Sequence, residues 1–308
     1  MAKVAFVFPG QGSQQVGMGK AVHDESAVGR AVFEAADRAL GEALSTLCFE
    51  GPADALQLTA NSQPAILTTS VALLRALDAR CDVAAGHSLG EYGAHIAAET
   101  LAFEDAVRLV RRRGQLMQEA VPVGVGAMAA VLGGEVAAIE RACAETEGVV
   151  EPVNYNCPGQ LVIAGEKGAV ERASARIQSE GGKVKALPVS APFHSSLMKP
   201  AEERFAPYLA EAKFNDPKVP VYVNVDAVAV TTGAAARDAL VRQVSRSVKW
   251  EQTIVRMLED GVGLFVEIGA GKALTGMIKR IGKDAVRVNV EAPKDIEAAR
   301  EAIKAARG

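Results

Sequence analysis

Short apolar runs alternate with stretches of helical periodicity along most of the chain. The apolar runs with the length of buried β-strands cover residues 4–8, 82–86, 221–225, 263–269 and 285–290. Between them, apolar residues recur every three or four positions, as they do on one face of a helix. This alternation predicts an α/β fold built on a mostly parallel sheet.

The ends of several helices are marked by residues that favour helix termini. Ser26 is a predicted N-cap, and Gly41 is the predicted end of the first long helix. A second long helix is predicted to follow Ser62 and Pro64. The other predicted helices that bear on the fold cover residues 89–99, 104–120 and 293–307.

The pattern changes between residues 126 and 190, where the elements become short and regular. Their order is strand, helix, strand, strand, helix, strand, which predicts a ferredoxin-like βαββαβ subdomain. We therefore expect one large domain from residues 1–125 and 191–308, with residues 126–190 inserted into it. Ligand sites concentrate at such junctions, so a cleft between the two parts is the expected site.

Composition and charge exclude several classes of function. The 308 residues are 49% hydrophobic and carry a formal net charge of -3, so we expect no general affinity for nucleic acid. The apolar runs are too short to cross a bilayer, so we expect no membrane partner. The four cysteines form no Cys-x-x-Cys pair, and the four histidines show no metal-ligand spacing. These features predict a cytoplasmic protein without a metal.

The segment GHSLG, residues 86–90, follows a predicted strand and precedes a predicted helix. In this context G-x-S-x-G is typical of a nucleophile elbow, a sharp turn that exposes a serine hydroxyl, here that of Ser88. The helix N-terminus behind it would stabilise negative charge. The alternative is packing alone, with glycines that permit a tight turn and a serine that is merely small. The strand–turn–helix context favours the nucleophile.

A serine nucleophile needs a base within hydrogen-bond reach, and four histidines are candidates. His95 follows Ser88 by seven residues on the same predicted helix, about 10 Å further along the axis. The side chain of His87 is expected to point away from Ser88 and to brace the turn. His23 lies in a polar segment and is expected to be solvated. His194 follows the last strand of the inserted subdomain, at the edge of the expected cleft, and is the predicted base.

Two loops are expected to supply backbone donors for an oxyanion. One donor is the amide of Leu89, directly after the nucleophile. The other is the amide of Gln11 in FPGQGSQ, a glycine-rich loop that leaves the first strand. Nucleotide binding is a disfavoured alternative. The third glycine of GQGSQQVG falls two residues late for G-x-G-x-x-G, and GAGKAL does not fit the P-loop spacing.

Arg113 lies at the centre of an apolar stripe on the helix predicted over residues 104–120. A guanidinium within an apolar stripe keeps its charge and must find an anion, because burying it unpaired is costly. That partner is either an aspartate or glutamate of the core or the carboxylate of a substrate. The spacing alone does not separate the two.

Nine segments in this order resemble the malonyl-CoA:acyl carrier protein transacylases, the acyltransferase family of fatty-acid and polyketide synthesis. They are FPGQGSQ, TANSQPAILTTS, GHSLGEY, RGQLMQEAVP, GAMAAVLG, NYNCPGQLVIAG, PVSAPFHSSLMKPA, SVKW and VEIGAGKALTGMIKRI, and they extend over essentially the whole chain. The resemblance implies a hydrolase-like large domain with the ferredoxin-like insertion. It also implies Ser88 as nucleophile, His194 as base, the Gln11 and Leu89 amides as oxyanion hole and Arg113 as the clamp for a malonyl carboxylate.

Further residues take a role only from this resemblance. Phe193 resembles the malonyl-selecting form of its motif, and Asn156 in NYNCPG is expected to bind substrate, although Cys157 replaces a frequent serine. Lys249 stands where many members carry glutamine, and a backbone carbonyl at this point is expected to orient the base. Basic side chains that flank the site are candidates for carrier docking: Arg111, Arg112, Lys183, Lys185 and Lys199.

The resemblance implies a ping-pong transfer of a malonyl group from malonyl-CoA to the phosphopantetheine thiol of acyl carrier protein. The intermediate is a malonyl ester on Ser88, the product supplies extender units for fatty-acid synthesis, and no cofactor is tightly bound. We expect a monomer. The alternatives are a serine hydrolase or thioesterase acting on acyl-CoA, an acyltransferase of a polyketide pathway, and a non-catalytic module that binds carrier protein.

Overall fold

The structure, a computed structural model, describes residues 2–122, 124–189 and 191–308. The strands in these ranges are β1 (Lys3–Phe8), β2 (Val83–Gly86), β3 (Gly126–Leu132), β4 (Val150–Cys157), β5 (Gln160–Glu166), β6 (Lys183–Ala186), β7 (Val221–Val223), β8 (Val228–Val230), β9 (Val262–Ile268) and β10 (Val286–Val290). The helices are α1 (Lys20–Glu25), α2 (Ala27–Leu40), α3 (Leu44–Glu50), α4 (Ala53–Gln57), α5 (Thr59–Leu77), α6 (Gly90–Ala97), α7 (Phe103–Glu119), α8 (Val136–Ala144), α9 (Lys167–Ser179), α10 (Lys199–Glu211), α11 (Gly233–Gln243), α12 (Trp250–Glu259), α13 (Ala273–Ile281) and α14 (Ile296–Arg307). None of these helices is long and apolar enough to cross a membrane.

The larger sheet has six strands in the order β10-β9-β1-β2-β7-β8, and all neighbours are parallel except β7 and β8. Helices cover both of its faces. Along β1, Phe6 and Phe8 pack into one core and Ala5 and Val7 into the other. A strand buried on both faces is apolar throughout, which is why it appears in the sequence as a continuous run. The predicted mostly parallel α/β sheet is confirmed.

All five strands predicted outside the inserted subdomain are present, with ends within two residues of those expected. The strand that the sequence did not predict is β8, which pairs antiparallel with β7 at the sheet edge. It has only three residues, and two of them are exposed. A short, exposed edge strand carries little apolar signal, so periodicity could not reveal it.

The ends of α2 are as predicted, but the start of α5 is not. The Ser26 hydroxyl accepts a hydrogen bond from the Gly29 amide, and Gly41 ends α2 with φ of 68°. The second long helix begins at Thr59, so the expectation that it would follow Ser62 and Pro64 is wrong. Pro64 removes one backbone hydrogen bond in the second turn. Burial of α5 on nearly all sides holds this turn helical.

The smaller sheet has four antiparallel strands in the order β4-β5-β3-β6, and α8 and α9 pack on one face of it. Residue 190, where the inserted subdomain is predicted to end, lies outside the described ranges. The unit is joined to the larger part by backbone hydrogen bonds between β4 and the segment before α12. Tyr155 donates to the Val248 carbonyl at 2.9 Å, and the Val248 amide donates to the Val153 carbonyl at 2.8 Å.

Candidate active site

The GHSLG turn connects β2 to α6. Both of its glycines lie so close to other backbone atoms that no side chain fits at either position. A Cβ atom on Gly86 would lie 2.0 Å from the Gly90 carbonyl carbon, and one on Gly90 would lie 2.0 Å from the Phe8 oxygen. Ser88 between them has φ of 51°, in the left-handed region that serine rarely adopts. Packing explains the glycines, but it does not explain a strained serine at the apex. Strain of this kind concentrates at functional sites.

The side chain of Ser88 contacts that of His194, which comes from the segment that leads out of the smaller sheet. Ser88 Oγ lies 2.7 Å from His194 Nε2. His194 is only 5% exposed, and its Nδ1 lies 2.8 Å from the Gln243 carbonyl oxygen. Because a carbonyl can only accept, Nδ1 carries the proton and Nε2 presents its lone pair to the serine hydroxyl. This is the tautomer that a general base requires.

The carbonyl that orients His194 is not the one expected at Lys249. The Lys249 carbonyl instead accepts hydrogen bonds from Thr253. Gln243 is the last residue of α11, and the final carbonyls of a helix have no partner within the helix. The end of α11 therefore supplies a free acceptor at this point.

The surroundings of His194 keep its imidazole neutral. Burial, followed by the nearby positive charge of Arg113, lowers the pKa of His194 to about 3, although the hydrogen bond to the Gln243 carbonyl acts in the opposite direction. A neutral imidazole can accept a proton from Ser88. The base form is therefore present throughout the neutral range.

We expect the reactivity of Ser88 toward a sulfonyl fluoride to stay almost constant between pH 8 and pH 5. An imidazole with the ordinary pKa of about 6.5 would become protonated in this interval, and the fraction in its neutral base form would fall roughly 30-fold. Because the folded-state pKa of His194 lies near 3, the loss should begin only below pH 4. Second-order inactivation rates across this range test the expectation, and a midpoint near 6.5 would contradict it.

Arg113 projects from α7 to the same point and is 1% exposed. Its guanidinium donates to Gln63 Oε1 and Gln243 Oε1, both at 2.9 Å, and to Ser88 Oγ at 3.2 Å. Burial lowers its pKa, although a guanidinium remains charged at neutral pH. No carboxylate of the described residues forms an ion pair with it, and the buried Glu91 acts on it only through a charge interaction without direct contact, which raises its pKa. Neutral amide oxygens hold a buried cation next to the serine.

These groups open into one cavity of about 250 Å³ between the two parts of the chain. The larger part contributes Gln11, Gly12, Gln14, Gln57, Gln63, His87, Ser88, Leu89, Arg113 and Met117, and the smaller one contributes Met128, Asn154, Leu187, Pro188 and Val189, with Phe193 and His194 from the return segment. No hydrogen bond within the described residues uses the backbone amide of Gln11 or of Leu89. Both amides are thus free to donate to a ligand.

The structure places Asn156 behind the cavity wall. Its Oδ1 lies 2.9 Å from His87 Nε2, and the residue is 5% exposed. Asn154, two residues earlier, lines the cavity. The substrate contact of Asn156 stays a prediction, and its observed contact joins the serine turn to the smaller sheet. The thiol of Cys157, in the same loop, contacts Gln160 Oε1 at 3.5 Å.

The other histidines are engaged elsewhere. His87 packs against Trp250, with ring centres 5.7 Å apart. His95 is wholly buried on α6. His23, which was expected to be solvated, is only partly so: its ring packs against Phe33 and Phe49, while its Nδ1 lies 2.8 Å from the exposed Asp24 carboxylate.

Four buried polar residues around the serine were not predicted: Gln63, Glu91, Asn224 and Gln243. A signal existed for Glu91, which is a carboxylate among mostly apolar residues of α6, just as Arg113 is a charge within an apolar stripe of α7. The other three are neutral amides, and nothing in their spacing distinguishes them from surface residues. Asn224 and Gln243 reach the site only through the fold, more than 130 residues after Ser88.

A second cavity, of about 370 Å³, lies at the opposite end of the larger sheet, with Cys81, Arg75, Arg80 and Lys218 in its wall. Burial raises the pKa of the Cys81 thiol to about 12. A thiol with this pKa is not a nucleophile at neutral pH.

A serine on a strand-to-helix turn, 2.7 Å from a buried histidine at the carboxyl ends of parallel strands, is an arrangement typical of one class of α/β enzymes, those with a serine nucleophile. Within this class, the chain belongs to the acyl transferase domain family, whose model matches residues 5–302. The chain is 51% identical over 288 residues to the malonyl CoA-acyl carrier protein transacylase of Escherichia coli (strain K12), covering 91% of this chain and 93% of that relative.

Solved structures agree with this family. An acyl carrier protein S-malonyltransferase from Vibrio cholerae O1 biovar eltor superposes with a TM-score of 0.94 at 46% identity, covering 97% of this chain and 100% of that chain. A second match is a chain of a solved complex, described as a holo type II PKS acyl-carrier protein in complex with its malonyl-transacylase. Its TM-score is 0.95 at 42% identity, covering 98% of this chain and 100% of that chain.

Proposed function

We propose that this acyltransferase moves a malonyl group from malonyl-CoA to the phosphopantetheine thiol of acyl carrier protein, supplying extender units for fatty-acid synthesis. The observation that carries the proposal is the buried Arg113 guanidinium 3.2 Å from the hydroxyl that contacts His194. An acyl group bound to that serine, and ending in a carboxylate, would find a desolvated cation next to it. The malonyl transferases among the relatives support the same substrate.

In the first half-reaction, Ser88 Oγ attacks the thioester carbonyl while His194 Nε2 takes the hydroxyl proton. The free amides of Gln11 and Leu89 donate to the oxyanion. Arg113 binds the malonyl carboxylate through a bidentate pair of hydrogen bonds. When the tetrahedral intermediate collapses, the carbon–sulfur bond breaks and His194 returns its proton to the CoA thiolate. A malonyl ester remains on Ser88.

The second half-reaction runs the same steps in reverse with a different thiol. The phosphopantetheine thiol of the carrier protein gives its proton to His194, and its sulfur attacks the ester carbonyl. The carbon–oxygen bond to Ser88 breaks, and the serine recovers the proton from His194. Neither half-reaction needs a metal or a bound cofactor.

Two features argue against a hydrolase. Hydrolases with this elbow orient the histidine with an aspartate or glutamate, whereas the partner of His194 here is a backbone carbonyl. A hydrolase also has no need of a buried arginine next to its nucleophile. The remaining alternative is an acyltransferase of a polyketide pathway. Malonyl transfer rates to carrier proteins of fatty-acid synthesis and of polyketide synthesis, measured side by side, would distinguish the two.

We also propose the domain division that the sequence indicates, with a hydrolase-like domain of residues 1–125 and 191–308 and a ferredoxin-like insertion of residues 126–190. The observed order β3-α8-β4-β5-α9-β6 and the central position of β3 and β5 in the smaller sheet support it. A cytoplasmic location is consistent with four free, buried cysteines.

Among the candidate docking cations, the exposed Lys183 and Lys185 on β6 suit an acidic carrier protein best. Arg111 forms an ion pair with Glu42, and Lys199 forms one with Glu202. The guanidinium of Arg112 lies 5.0 Å from the ring centre of Tyr208. We therefore assign first contact with the carrier to the edge of the smaller sheet.

Brief incubation with malonyl-CoA, without carrier protein, is expected to add the mass of one malonyl group to the intact protein. The Ser88→Ala variant should gain nothing, whereas Ser179→Ala, at the exposed end of α9, should label as the wild type does. Peptide mapping places the modification. Steady release of free malonate without an acceptor would favour a hydrolase, and the absence of any label would favour a non-catalytic module.

A further inference from the structure

A layer of buried polar side chains lies directly beneath the Ser88 turn. Asn224, which follows β7 and has no exposed surface, spans the turn from below. Its Nδ2 donates to the Gly86 carbonyl at 2.7 Å, and its Oδ1 accepts from the Ser88 amide at 2.6 Å. One side chain thus ties together the residues on either side of His87.

Glu91 and Gln243 hold this layer in place. The Glu91 carboxylate, which is also wholly buried, accepts from the Asn224 backbone amide and from Gln243 Nε2, both at 2.8 Å. Gln243 Nε2 also donates to the Ser88 carbonyl at 3.1 Å. The same residue accepts from Arg113 through its side chain, and its carbonyl contacts His194. Ser88, His194 and Arg113 are therefore all hydrogen-bonded to one network of buried side chains and backbone groups.

We propose that Asn224 is a positioning residue that holds Ser88 in its left-handed backbone conformation and so keeps its hydroxyl on His194. A serine with φ of 51° persists only where its surroundings determine it. The amide bridge does this by fixing the peptide groups on both sides of the turn. The inference rests on the proposed function only in taking Ser88 as the nucleophile.

An amide is the side chain that this bridge requires. The turn presents a carbonyl oxygen from Gly86 and an N–H from Ser88, so the bridging group must donate at one end and accept at the other. A carboxylate at position 224 would accept from Ser88 but face the Gly86 oxygen with a second acceptor. It could complete the bridge only when protonated.

The test measures how fast a sulfonyl fluoride modifies Ser88 in wild type, Asn224→Ala and Asn224→Asp. Ser88 Oγ forms a bond to sulfur, the sulfur–fluorine bond breaks, and His194 takes the hydroxyl proton while fluoride leaves. This reaction needs neither malonyl-CoA nor Arg113, so it stays informative if the malonyl assignment fails. We expect Asn224→Ala to react at least 10-fold more slowly than the wild type.

Asn224→Asp should react at least 10-fold more slowly at pH 8 and recover severalfold toward pH 5. Burial and the adjacent Glu91 carboxylate raise the pKa of the new carboxyl, which then takes up a proton and donates to Gly86. The wild-type rate should be flat in this interval, because the pKa of His194 lies near 3. A merely structural role would not produce a rate that rises as the pH falls.

Asn289→Asp is the matched control. Asn289 is half-buried on β10, and its side chain also contacts a buried glutamate, Glu267. This variant should react as the wild type does at both pH values, even if its melting temperature falls.

The proposal is overturned if Asn224→Asp reacts within twofold of the wild type at pH 8, or if its rate is equally low at pH 5. It is also overturned if that variant is unfolded by circular dichroism at both pH values, since Asn224 would then be structural only. A wild-type Ser88 that resists the probe would remove the premise. Should Asn224→Ala fail to fold, the pH response of Asn224→Asp decides alone.

Discussion

Replacing His194 by alanine is expected to lower the rate of malonyl transfer by roughly 10⁴- to 10⁶-fold, the range seen when a histidine base is removed from a serine nucleophile. The Ser88 hydroxyl has its acceptor in His194 Nε2, at 2.7 Å. The Arg113 guanidinium also contacts this hydroxyl, but it is a cation that donates and cannot accept. Without the imidazole, the hydroxyl would have to attack while it still carries its proton.

Stopped-flow measurement of CoA release in the first turnover isolates the step in which His194 acts. His23→Ala is a suitable control, because His23 is half-buried against aromatic rings away from the cavity. It should keep a rate close to that of the wild type. A loss of less than tenfold in His194→Ala would show that the serine is activated in another way.

Arg113→Ala is expected to invert the acyl preference of the enzyme. Malonyl transfer should fall on the order of a hundredfold or more, because the variant would bury a substrate carboxylate without its charged partner. Acetyl transfer should persist or improve, since an acetyl group leaves the wild-type guanidinium without an anion. The measurement is kcat/KM for malonyl-CoA and acetyl-CoA in parallel.

Arg108→Ala gives the matched control for this change. Arg108 lies on the same helix, α7, but its side chain is 52% exposed and pairs with Asp105. Removing it should leave both acyl groups unaffected. If Arg113→Ala lost malonyl and acetyl transfer equally, its role would be structural and the clamp would be wrong.

The parts of this molecule that could be predicted are those with a local cause. The Ser88 turn was recognisable because two glycines are sterically required within five residues, after a strand and before a helix. Arg113 was recognisable because a charge within an apolar stripe needs an explanation. His194 could be chosen because the other histidines lacked a suitable position in the order of elements. For Ser88 and Arg113 the evidence lay within one or two neighbouring elements, and for His194 it lay in the order of elements along the chain.

What could not be predicted depends on contacts between distant segments. The carbonyl of Gln243 reaches His194 because α11 ends there, and Asn224 reaches Ser88 because β7 lies beside β2. Neither residue has a spacing that indicates its contact. The start of α5 was misplaced because Pro64 suggests a first turn, whereas burial of the whole helix outweighs one lost hydrogen bond.

The acceptor that orients His194 belongs to the main chain, and this affects how the enzyme can change. No single substitution can delete a peptide oxygen, so the choice of which imidazole nitrogen carries the proton is insulated from mutation at position 243. A side-chain carboxylate in that role could be lost in one step. Here the tautomer follows from the course of the polypeptide, and only a change that redirects the end of α11 would disturb it.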